Sequence, residues 1–269
     1  MTARISVITP SFNAAPYIEQ AIDSVLQQRY DNFEHIIIDG GSTDGTVDIL
    51  KRYPHVVWVS EPDDGQSDAM NKGFEMSSGE IVVYLNADDF FEEGAFAAVA
   101  EAFNEGAKFV VGKVRVLNAD GSSYVNDPKL SLGEMLRWWE PNAYSYNSTG
   151  YFYLREVQDA VGGFNAENHL AMDLAFLLEA ALRYPFTRVD RILGNFRMVP
   201  GTKTFENSSN ELETLRFTRK YLSNFDDLYR MSYEKDIAAY EKGLKDRNRN
   251  MGGTIHQRFL NKISQLMAR

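Results

Sequence analysis

The sequence contains no cysteine, and this absence removes several kinds of chemistry at once. Without thiols the chain forms neither disulfides nor thiolate zinc sites, and it has no cysteine nucleophile. A chain without cysteine suits a reducing compartment. We therefore predict a cytoplasmic protein, with the inner face of the cell membrane as the alternative location.

Long apolar runs and an excess of positive charge are missing as well. The first residues, Met1 to Ile8, lack the apolar core of a secretory signal, and no later stretch reaches the roughly 18 apolar residues that span a bilayer. The 28 Lys and Arg are outnumbered by 38 Asp and Glu, which gives a formal net charge of −10. Because a nucleic-acid backbone requires clustered Lys and Arg, this balance excludes nucleic acid as an expected partner.

The sequence does contain enough apolar material for a large folded domain. Its 269 residues are 44% hydrophobic and 13% aromatic, unlike the composition of disordered chains. Through the first 115 residues, β-branched runs alternate with helical patterns, which is typical of parallel strands joined by crossover helices. The predicted fold class is α/β, with a single mostly parallel Rossmann-like sheet flanked by helices and a C-terminal helical extension.

The predicted elements follow one another regularly as far as residue 120. Strands are expected at residues 5–9, 35–38, 56–59, 80–85 and 109–116. Helices are expected after the caps Asn13 and Asp44 and at residues 65–76 and 92–104. Beyond them we predict a hairpin turn at 118–121, a helix at 170–184, a strand at 186–193, a loop at 198–204 and helices from 211. Between the hairpin and that helix, aromatic residues are assigned to loops: Trp138, Trp139, Tyr144, Tyr146, Tyr151, Phe152 and Tyr153.

Polar residues follow three of the predicted strands, where open α/β sheets bind their ligands. These strand ends are Thr9–Asn13, Asp39–Gly45 and Asn86–Asp89. Asn86 and Asp88 lie on one side of their strand end, since alternate residues of an extended chain point the same way. Mg²⁺ and Mn²⁺ take oxygen ligands and commonly use one or two carboxylates together with substrate phosphates. A turn or helix cap is the alternative for Asn86 and Asp89.

The second of these strand ends offers a carboxylate and several glycines. Asp39 can accept a hydrogen bond from the imide N–H of a nucleobase, or it can start the turn at Gly40 and Gly41. The segment Gly40–Gly45 has neither the spacing of the dinucleotide fingerprint nor that of the lysine-containing phosphate loop. A Rossmann dehydrogenase and a P-loop kinase are therefore disfavoured.

Four stretches between residues 5 and 95 carry a family resemblance by their order and spacing. They are Val7–Asn13 with Ala21–Gln28, Ile37–Thr46, Asp68–Gly73, and Tyr84–Asp89. Together they resemble the inverting family 2 glycosyltransferases of the A-type fold. The resemblance implies a metal-dependent enzyme, using Mn²⁺ or Mg²⁺, that moves a hexose or related sugar from a nucleotide-diphosphate sugar to an acceptor hydroxyl in polysaccharide or glycolipid assembly.

The resemblance also assigns roles to residues in these stretches. It implies that Asp88 is the metal ligand of a DxD-type motif and that the nucleotide sugar is bound by Thr9, Ser11, Asp39, Asn71, Asn86 and Ala87. The motif departs from its usual form because Asn86 takes the first acidic position. Asp68 stands where many relatives carry an arginine, so Arg197 and Lys203 become the candidates for neutralising the diphosphate.

The second half of the chain resembles the family through Gly162–Asn165 and Met172-Asp173. In relatives an acidic residue at this place supplies the general base, which implies that role for Asp173; the alternative is a first-turn carboxylate favoured by the helix dipole. We predict a nucleotide-sugar-binding half at residues 1–117, an acceptor and base half of the same domain at 118–205, and the helical extension at 206–269.

Partners and competing functions follow from the same residues. A UDP-sugar is the favoured donor, with GDP and dTDP as alternatives, because uracil, guanine and thymine all present an imide-type N–H to Asp39. The expected acceptor is a saccharide or glycolipid, the C-terminal helices are candidates for membrane or subunit contact, and the oligomeric state stays open.

A sugar-phosphate nucleotidyltransferase is disfavoured because Pro10–Ala14 replaces the Gly-rich basic loop that such an enzyme needs. A non-catalytic nucleotide-sugar-binding protein is the third reading.

Overall fold

Nine strands join into one sheet in the part of the chain that the computed structural model describes, residues 3–165, 172–199 and 211–250. The strands are β1 (Ile5–Ser11), β2 (Phe33–Asp39), β3 (Val56–Ser60), β4 (Ile81–Tyr84), β5 (Phe90–Phe91), β6 (Phe109–Leu117), β7 (Ser123–Asn126), β8 (Tyr151–Leu154) and β9 (Phe186–Arg197). Their order is β3-β2-β1-β4-β8-β6-β9-β5, and β7 pairs with β6 outside this path.

Helices cover both faces of this sheet. The α-helices of the described ranges are α1 (Ile18–Leu26), α2 (Thr46–Leu50), α3 (Gln66–Met76), α4 (Ala95–Asn104), α5 (Leu132–Leu136), α6 (Arg155–Val161), α7 (Met172–Ala181), α8 (Glu211–Arg219) and α9 (Asp227–Asn250). Short 3₁₀ helices lie at Ser148–Gly150 and Lys220–Asn224. In these ranges no helix combines the length and the apolarity that crossing a membrane requires.

The first half of the sheet is parallel, as the alternating pattern predicts. Strands β3, β2, β1 and β4 pair in parallel, and every residue of β1 and β4 is buried. Ile81 and Val83 of β4 pack with α1 and α4, whereas Val82 and Tyr84 pack with residues of α3 and α7 on the opposite face. Burial on both faces explains why these strands read as continuous apolar runs.

The second half makes the sheet mixed, which corrects the expectation of a mostly parallel one. Strand β8 inserts between β4 and β6 and is antiparallel to both, while β7 and β5 add further antiparallel pairs. The assignment of Tyr151, Phe152 and Tyr153 to loops is wrong, because all three lie in β8 and are completely buried. Their aromatic rings fill the core on both faces of the strand.

Local details of the first half differ from the sequence expectation as well. Helix α1 begins at Ile18, so Asn13 is not its cap; Asn13 instead has a positive φ of 48°. Asp44 does act near the start of α2, because its Oδ1 accepts the backbone N–H of Thr46 at 3.0 Å. The helix expected at 92–104 begins only at Ala95, since Phe90–Phe91 forms the short strand β5.

The C-terminal helices pack back onto the main core. Leu215 of α8 and Tyr233 and Ile237 of α9 are buried in the same cluster as residues of β4, β6 and α7. The Trp139 ring stacks on that of Tyr240 in α9, with ring centroids 5.0 Å apart. The helical extension is therefore part of the folded body over its described residues.

Helix α3 packs so closely on β1 that only glycine fits at position 73. A Cβ added to Gly73 would lie 2.3 Å from Cγ2 of the buried Ile8. We expect Gly73→Ala to lower the free energy of unfolding by roughly 1–3 kcal/mol, because overpacking forces the helix away from the strand.

Urea denaturation measures this effect, and Gly243→Ala in α9 is the matched control. An added Cβ at Gly243 meets nothing within 4 Å. Alanine there should raise the free energy of unfolding by about 0.5–1 kcal/mol through helix propensity. Equal effects of the two substitutions would contradict the close packing of α3 on β1.

Candidate functional site

A cavity of about 510 Å³ opens at the carboxyl ends of β1 and β4. The end of β1 and the loop after it, residues 10–14, form one wall together with Tyr17 and Gly40. The remaining lining residues are Asp63, Gly65, Gln66 and Ala69 near the start of α3, residues 86–88, and Phe196. Of the predicted site residues the cavity brings together Ser11, Asn86, Ala87 and Asp88. This position is where open α/β sheets bind their ligands.

The loops after β1 and β2 are tied to each other beside the cavity. The backbone N–H of Asn13 donates to Ser42 Oγ at 2.7 Å, and Asn13 Oδ1 accepts the N–H of Thr43 at 3.0 Å. Asp44 Oδ2 accepts the N–H of Ala15 at 2.9 Å. These reciprocal bonds hold the cavity wall in one arrangement.

Thr9 and Ser11 have different surroundings although both belong to β1. Thr9 is completely buried, and its Oγ1 lies 2.9 Å from His35 Nε2 in the core. The Ser11 hydroxyl is buried at the cavity and has no hydrogen-bond partner among the described residues. Because an unpaired buried hydroxyl is costly, Ser11 is the one of the two that is suited to meet a ligand.

Asp39 is completely buried and does not line the cavity. Its carboxylate accepts the backbone N–H of Ser42 at 2.9 Å, the Ser42 hydroxyl at 2.5 Å and the Ser60 hydroxyl at 2.7 Å. The carboxylate therefore organises the turn after β2 and ties that turn to β3. Of the two roles that the sequence left open for Asp39, the hydrogen bonds to Ser42 correspond to the start of the turn at Gly40 and Gly41.

Asp63 is a cavity-lining carboxylate that the sequence analysis missed. Its Oδ1 accepts the N–H of Gly65 at 2.8 Å, and its Oδ2 lies 2.9 Å from the position that a Cβ on Gly40 would take. Glycine at position 40 thus lets this carboxylate approach the end of β2. The polar stretch after β3 is a fourth strand end, and inspecting it would have revealed Asp63.

Asp89 anchors the segment that follows β4. Its buried carboxylate accepts the Nδ2 of Asn147 at 2.7 Å, the Nδ2 of Asn86 at 3.0 Å and the backbone N–H of Arg197 at 2.9 Å. Burial, together with the charge of Asp88, raises the pKa of Asp89 to about 8. The turn expected for Asn86 and Asp89 is present, because the N–H of Asp89 donates to the carbonyl of Asn86 at 3.0 Å.

Asp88 presents the free carboxylate of this segment. It is half-buried at the cavity, and no side chain of the described ranges donates to its carboxylate oxygens. Burial raises the pKa of Asp88, and the positive charge of Arg197 opposes that rise. The described ranges contain no group of three or more His, Asp or Glu side chains that could hold a metal. Asp88 fits a cation whose other ligands are phosphates and water.

Arg197 at the end of β9 places a positive charge beside Asp88. Its Nη1 donates to the backbone carbonyl of Asp88 at 2.9 Å, and its guanidinium lies 4.8 Å from the centre of the Phe90 ring. It also donates to the side chain of Gln20. Lys203, the other predicted cation, and the loop around it lie outside the described residues.

Asn71 faces the second half of the chain rather than the cavity. Its Nδ2 donates to the carbonyl of Phe164 at 2.8 Å, and its Oδ1 accepts the N–H of Phe164 at 2.8 Å. A Cβ on Gly163 would lie 2.7 Å from Asn71 Oδ1, so any side chain at that position would displace the Asn71 amide. The residues that carry the weaker family resemblance are thus bound to helix α3.

Asp173 lies in the first turn of α7 and is not part of the cavity lining. Its Oδ1 accepts the Tyr151 hydroxyl at 2.6 Å; burial raises the pKa of Asp173, and this hydrogen bond opposes that rise. The preceding residue, Met172, receives the Ser67 hydroxyl on its sulfur at 3.2 Å. Ser67 follows Gln66, which lines the cavity, so the first residue of α7 lies against the α3 wall.

The buried His35 under Thr9 predicts a pH dependence of stability. Burial lowers the pKa of His35 from 6.5 to about 3. Below pH 6.5 the unfolded chain therefore binds a proton that the folded chain does not, and stability falls by roughly 1.4 kcal/mol per pH unit. In His35→Gln the free energy of unfolding should decline less steeply as the pH falls from 6.5 to 4.5. The difference in slope should correspond to about one bound proton.

Urea titrations at several pH values measure both slopes. His55→Gln is the control, because His55 is exposed and should change the slope less. Parallel slopes for His35→Gln and the unaltered protein would show that the histidine is protonated in the folded state.

Comparisons with known proteins converge on one family. A sequence model described as Glycosyl transferase family 2 matches residues 6–165, which is more than half of the chain. TuaG of Bacillus subtilis, named as a candidate glycosyltransferase of teichuronic acid biosynthesis, is 46% identical over 91 residues. That match covers 32% of this chain and only 36% of TuaG.

Solved structures are similar to this chain in fold. The crystal structure of S. aureus TarS 1-349 in complex with UDP-GlcNAc has a TM-score of 0.64 at 19% identity, covering 83% of this chain and 67% of the TarS 1-349 chain. The mannosyltransferase PcManGT from Pyrobaculum calidifontis, in complex with GDP-Man and Mn²⁺, has a TM-score of 0.58 at 18% identity, covering 100% of this chain and 81% of that one. The predicted glycosyltransferase A-type fold is confirmed, with a mixed sheet.

Proposed function

Because this chain belongs to glycosyltransferase family 2, we propose that it moves a sugar from a nucleotide-diphosphate sugar to an acceptor hydroxyl at the cavity beside Asp88. The observation that carries the proposal is the free Asp88 carboxylate, which lies at the cavity with Arg197 beside it. The cavity volume of about 510 Å³ lies in the range of small-molecule sites.

The nucleoside is assigned to the end of the cavity formed by β1 and the turn after β2. Phe12 lines this end with 66% of its surface exposed, and a flat exposed ring suits stacking of a base. The unpaired Ser11 hydroxyl and the Asp63 carboxylate offer hydrogen bonds nearby. UDP is the favoured carrier because TarS binds UDP-GlcNAc, and GDP is the alternative because PcManGT binds GDP-Man.

The diphosphate is assigned to the other end, where Asp88 would hold Mn²⁺ or Mg²⁺. Such a cation supplies Lewis-acid stabilisation of the charge that grows on the leaving diphosphate. The Mn²⁺ in the PcManGT complex supports this assignment. Arg197 adds a fixed positive charge, since its guanidinium is held by the Asp88 carbonyl and by Gln20.

Asp173 is the proposed general base of an inverting single displacement. The acceptor oxygen attacks the anomeric carbon, the nucleoside diphosphate leaves with the bonding electrons, and the acceptor proton passes to the Asp173 carboxylate. Burial raises the pKa of Asp173, which makes the carboxylate a stronger base than an exposed one. Residues 118–205 would form the acceptor half around it, and residues 1–117 the donor half.

The biological setting of the proposal is the assembly of a polysaccharide or glycolipid. The teichuronic acid assignment of TuaG supports a saccharide acceptor. We place the reaction on the cytoplasmic side of the cell, and the C-terminal helical extension is our candidate for contact with the membrane or another subunit. The nucleotidyltransferase reading remains disfavoured, because the loop Pro10–Ala14 that lines the cavity carries no basic residue.

The direct test is turnover with a panel of nucleotide sugars in the presence of Mn²⁺ or Mg²⁺. Release of the nucleoside diphosphate is followed with and without simple saccharide acceptors, and donor binding is measured separately by calorimetry. Turnover of one donor supports the enzyme. Donor binding without turnover would favour the non-catalytic reading, and no binding at all would refute the assignment of the cavity.

Asp88→Asn should lower kcat/KM for the active donor about 10²–10³-fold, because the charge that holds the cation is lost. Initial rates over a range of Mn²⁺ concentrations measure the effect. Calorimetry with UDP present should show weaker Mn²⁺ binding to the variant. The control is Asp48→Asn, since Asp48 is an exposed carboxylate paired with Lys51 on α2. Unchanged Mn²⁺ dependence in Asp88→Asn would rule out this residue as the metal ligand.

Phe12→Ala should raise the donor KM roughly tenfold with kcat nearly unchanged, because stacking on one base contributes about 1–3 kcal/mol to binding. Steady-state kinetics and the calorimetric Kd of the free nucleoside diphosphate measure the change. Leu228→Ala, at an even more exposed apolar residue on α9, is the control. If the Kd of the nucleotide is the same in Phe12→Ala, the base does not lie on this ring.

A further inference from the structure

A rigid aromatic stack lies beneath the Asp173 carboxylate. Tyr151 and Tyr153 of β8 stack with their ring centroids 6.4 Å apart, and both stack on Phe109 of β6. All three side chains are completely buried. Backbone pairing of Tyr151 with Val111 fixes the strand beside β6. The Tyr151 hydroxyl is therefore presented from a position that the core defines.

We propose that Tyr151 is a positioning residue for Asp173, holding one carboxylate oxygen so that the other faces the acceptor hydroxyl. The proposal rests on the proposed function, in which Asp173 takes the acceptor proton. The Tyr151 hydroxyl donates to Oδ1 at 2.6 Å, while Oδ2 carries no hydrogen bond from the residues that the structure describes. Oδ2 is thus the oxygen available for the proton.

The hydrogen bond from Tyr151 fixes the orientation of the Asp173 side chain, which otherwise could rotate. In the described ranges, Asp173 receives a side-chain hydrogen bond from Tyr151 alone, and the Tyr151 hydroxyl has the same single partner. A buried phenol without a partner is costly, so the hydroxyl and the carboxylate select each other's orientation. A base held within hydrogen-bond reach of its substrate proton loses rate when it is displaced by about 1 Å.

The surroundings of the carboxylate make its ionisation sensitive to this one bond. Burial raises the pKa of Asp173, and the Tyr151 hydroxyl counteracts this effect by stabilising the charged form. Neither Tyr144 nor Tyr153 donates a hydrogen bond to this carboxylate, and burial raises their pKa values, so both stay neutral near pH 7.

No charged residue of α5 or α6, the helices packed against α7, forms a hydrogen bond or ion pair with Asp173. Glu134 of α5 accepts from Ser131, and Arg155 of α6 donates to Ser77 and to the Gly79 carbonyl. Tyr151 is therefore the group whose removal should change the base most directly.

The experiment compares Tyr151→Phe with Tyr153→Phe in the full chain. Tyr153 is the matched control, because it lies in the same strand and stack but donates to Gln158 Oε1 at 2.7 Å instead of to Asp173. Each substitution removes one buried hydroxyl and keeps the ring. Thermal unfolding of both variants gives the folded fraction by which the rates are corrected.

For Tyr151→Phe we expect kcat to fall roughly tenfold to a hundredfold with the donor KM unchanged. The acidic limb of the kcat profile should move upward by about one pH unit, because the charged carboxylate has lost its hydrogen bond. Tyr153→Phe should keep the kcat and the acidic limb of the unaltered protein.

Asp173→Asn separates this inference from the proposed function. If Asp173→Asn is inactive while Tyr151→Phe keeps the kcat and acidic limb of the unaltered protein, the positioning role is refuted and the base assignment stands. Equal changes in Tyr151→Phe and Tyr153→Phe also refute it, since the effect is then one of core packing. If Asp173→Asn transfers sugar normally, the base assignment fails and the positioning role fails with it.

Discussion

The buried carboxylate of Asp89 is the interaction on which the arrangement of the site depends. It accepts N–H groups from Asn86, Asn147 and Arg197, which lie in three different parts of the chain. Because all three donors converge on one side chain, the segment after β4 and the end of β9 cannot move apart independently. This anchor, the hydrogen bond from Arg197 to the Asp88 carbonyl and the pairing of β5 with β9 together hold Asp88 and Arg197 close, and the Asp88 carboxylate faces the cavity.

The first half of the fold was predictable because its signals are local. Continuous apolar runs separated by helical periods identified β1 to β4, and burial on both faces of the sheet explains that pattern. Strand β8 was missed because no such regular context surrounds it. Its short apolar run, Tyr151–Leu154, follows an irregular and aromatic-rich stretch, so only pairing with β4 and β6 identifies it as a strand.

The site was predictable in part, and the remainder depends on contacts that sequence patterns do not encode. The strand-end rule located Ser11 and Asp88, and applied to β3 it would have located Asp63. No sequence pattern could show that the Ser60 hydroxyl donates a hydrogen bond to the Asp39 carboxylate, since the two residues are 21 positions apart. Likewise, Asn71 shows its role only through Phe164, which lies 93 residues later. Burial and partner choice for these residues are decided by the tertiary fold.

The two hydrogen bonds between the Asn71 amide and the Phe164 backbone join helix α3 to the segment before α7, and they depend on both Asn71 and Gly163. The amide fits only because position 163 has no side chain, so neither residue can change alone without disturbing the joint. A segment after β8 taken from another family member would therefore need its own partner for α3.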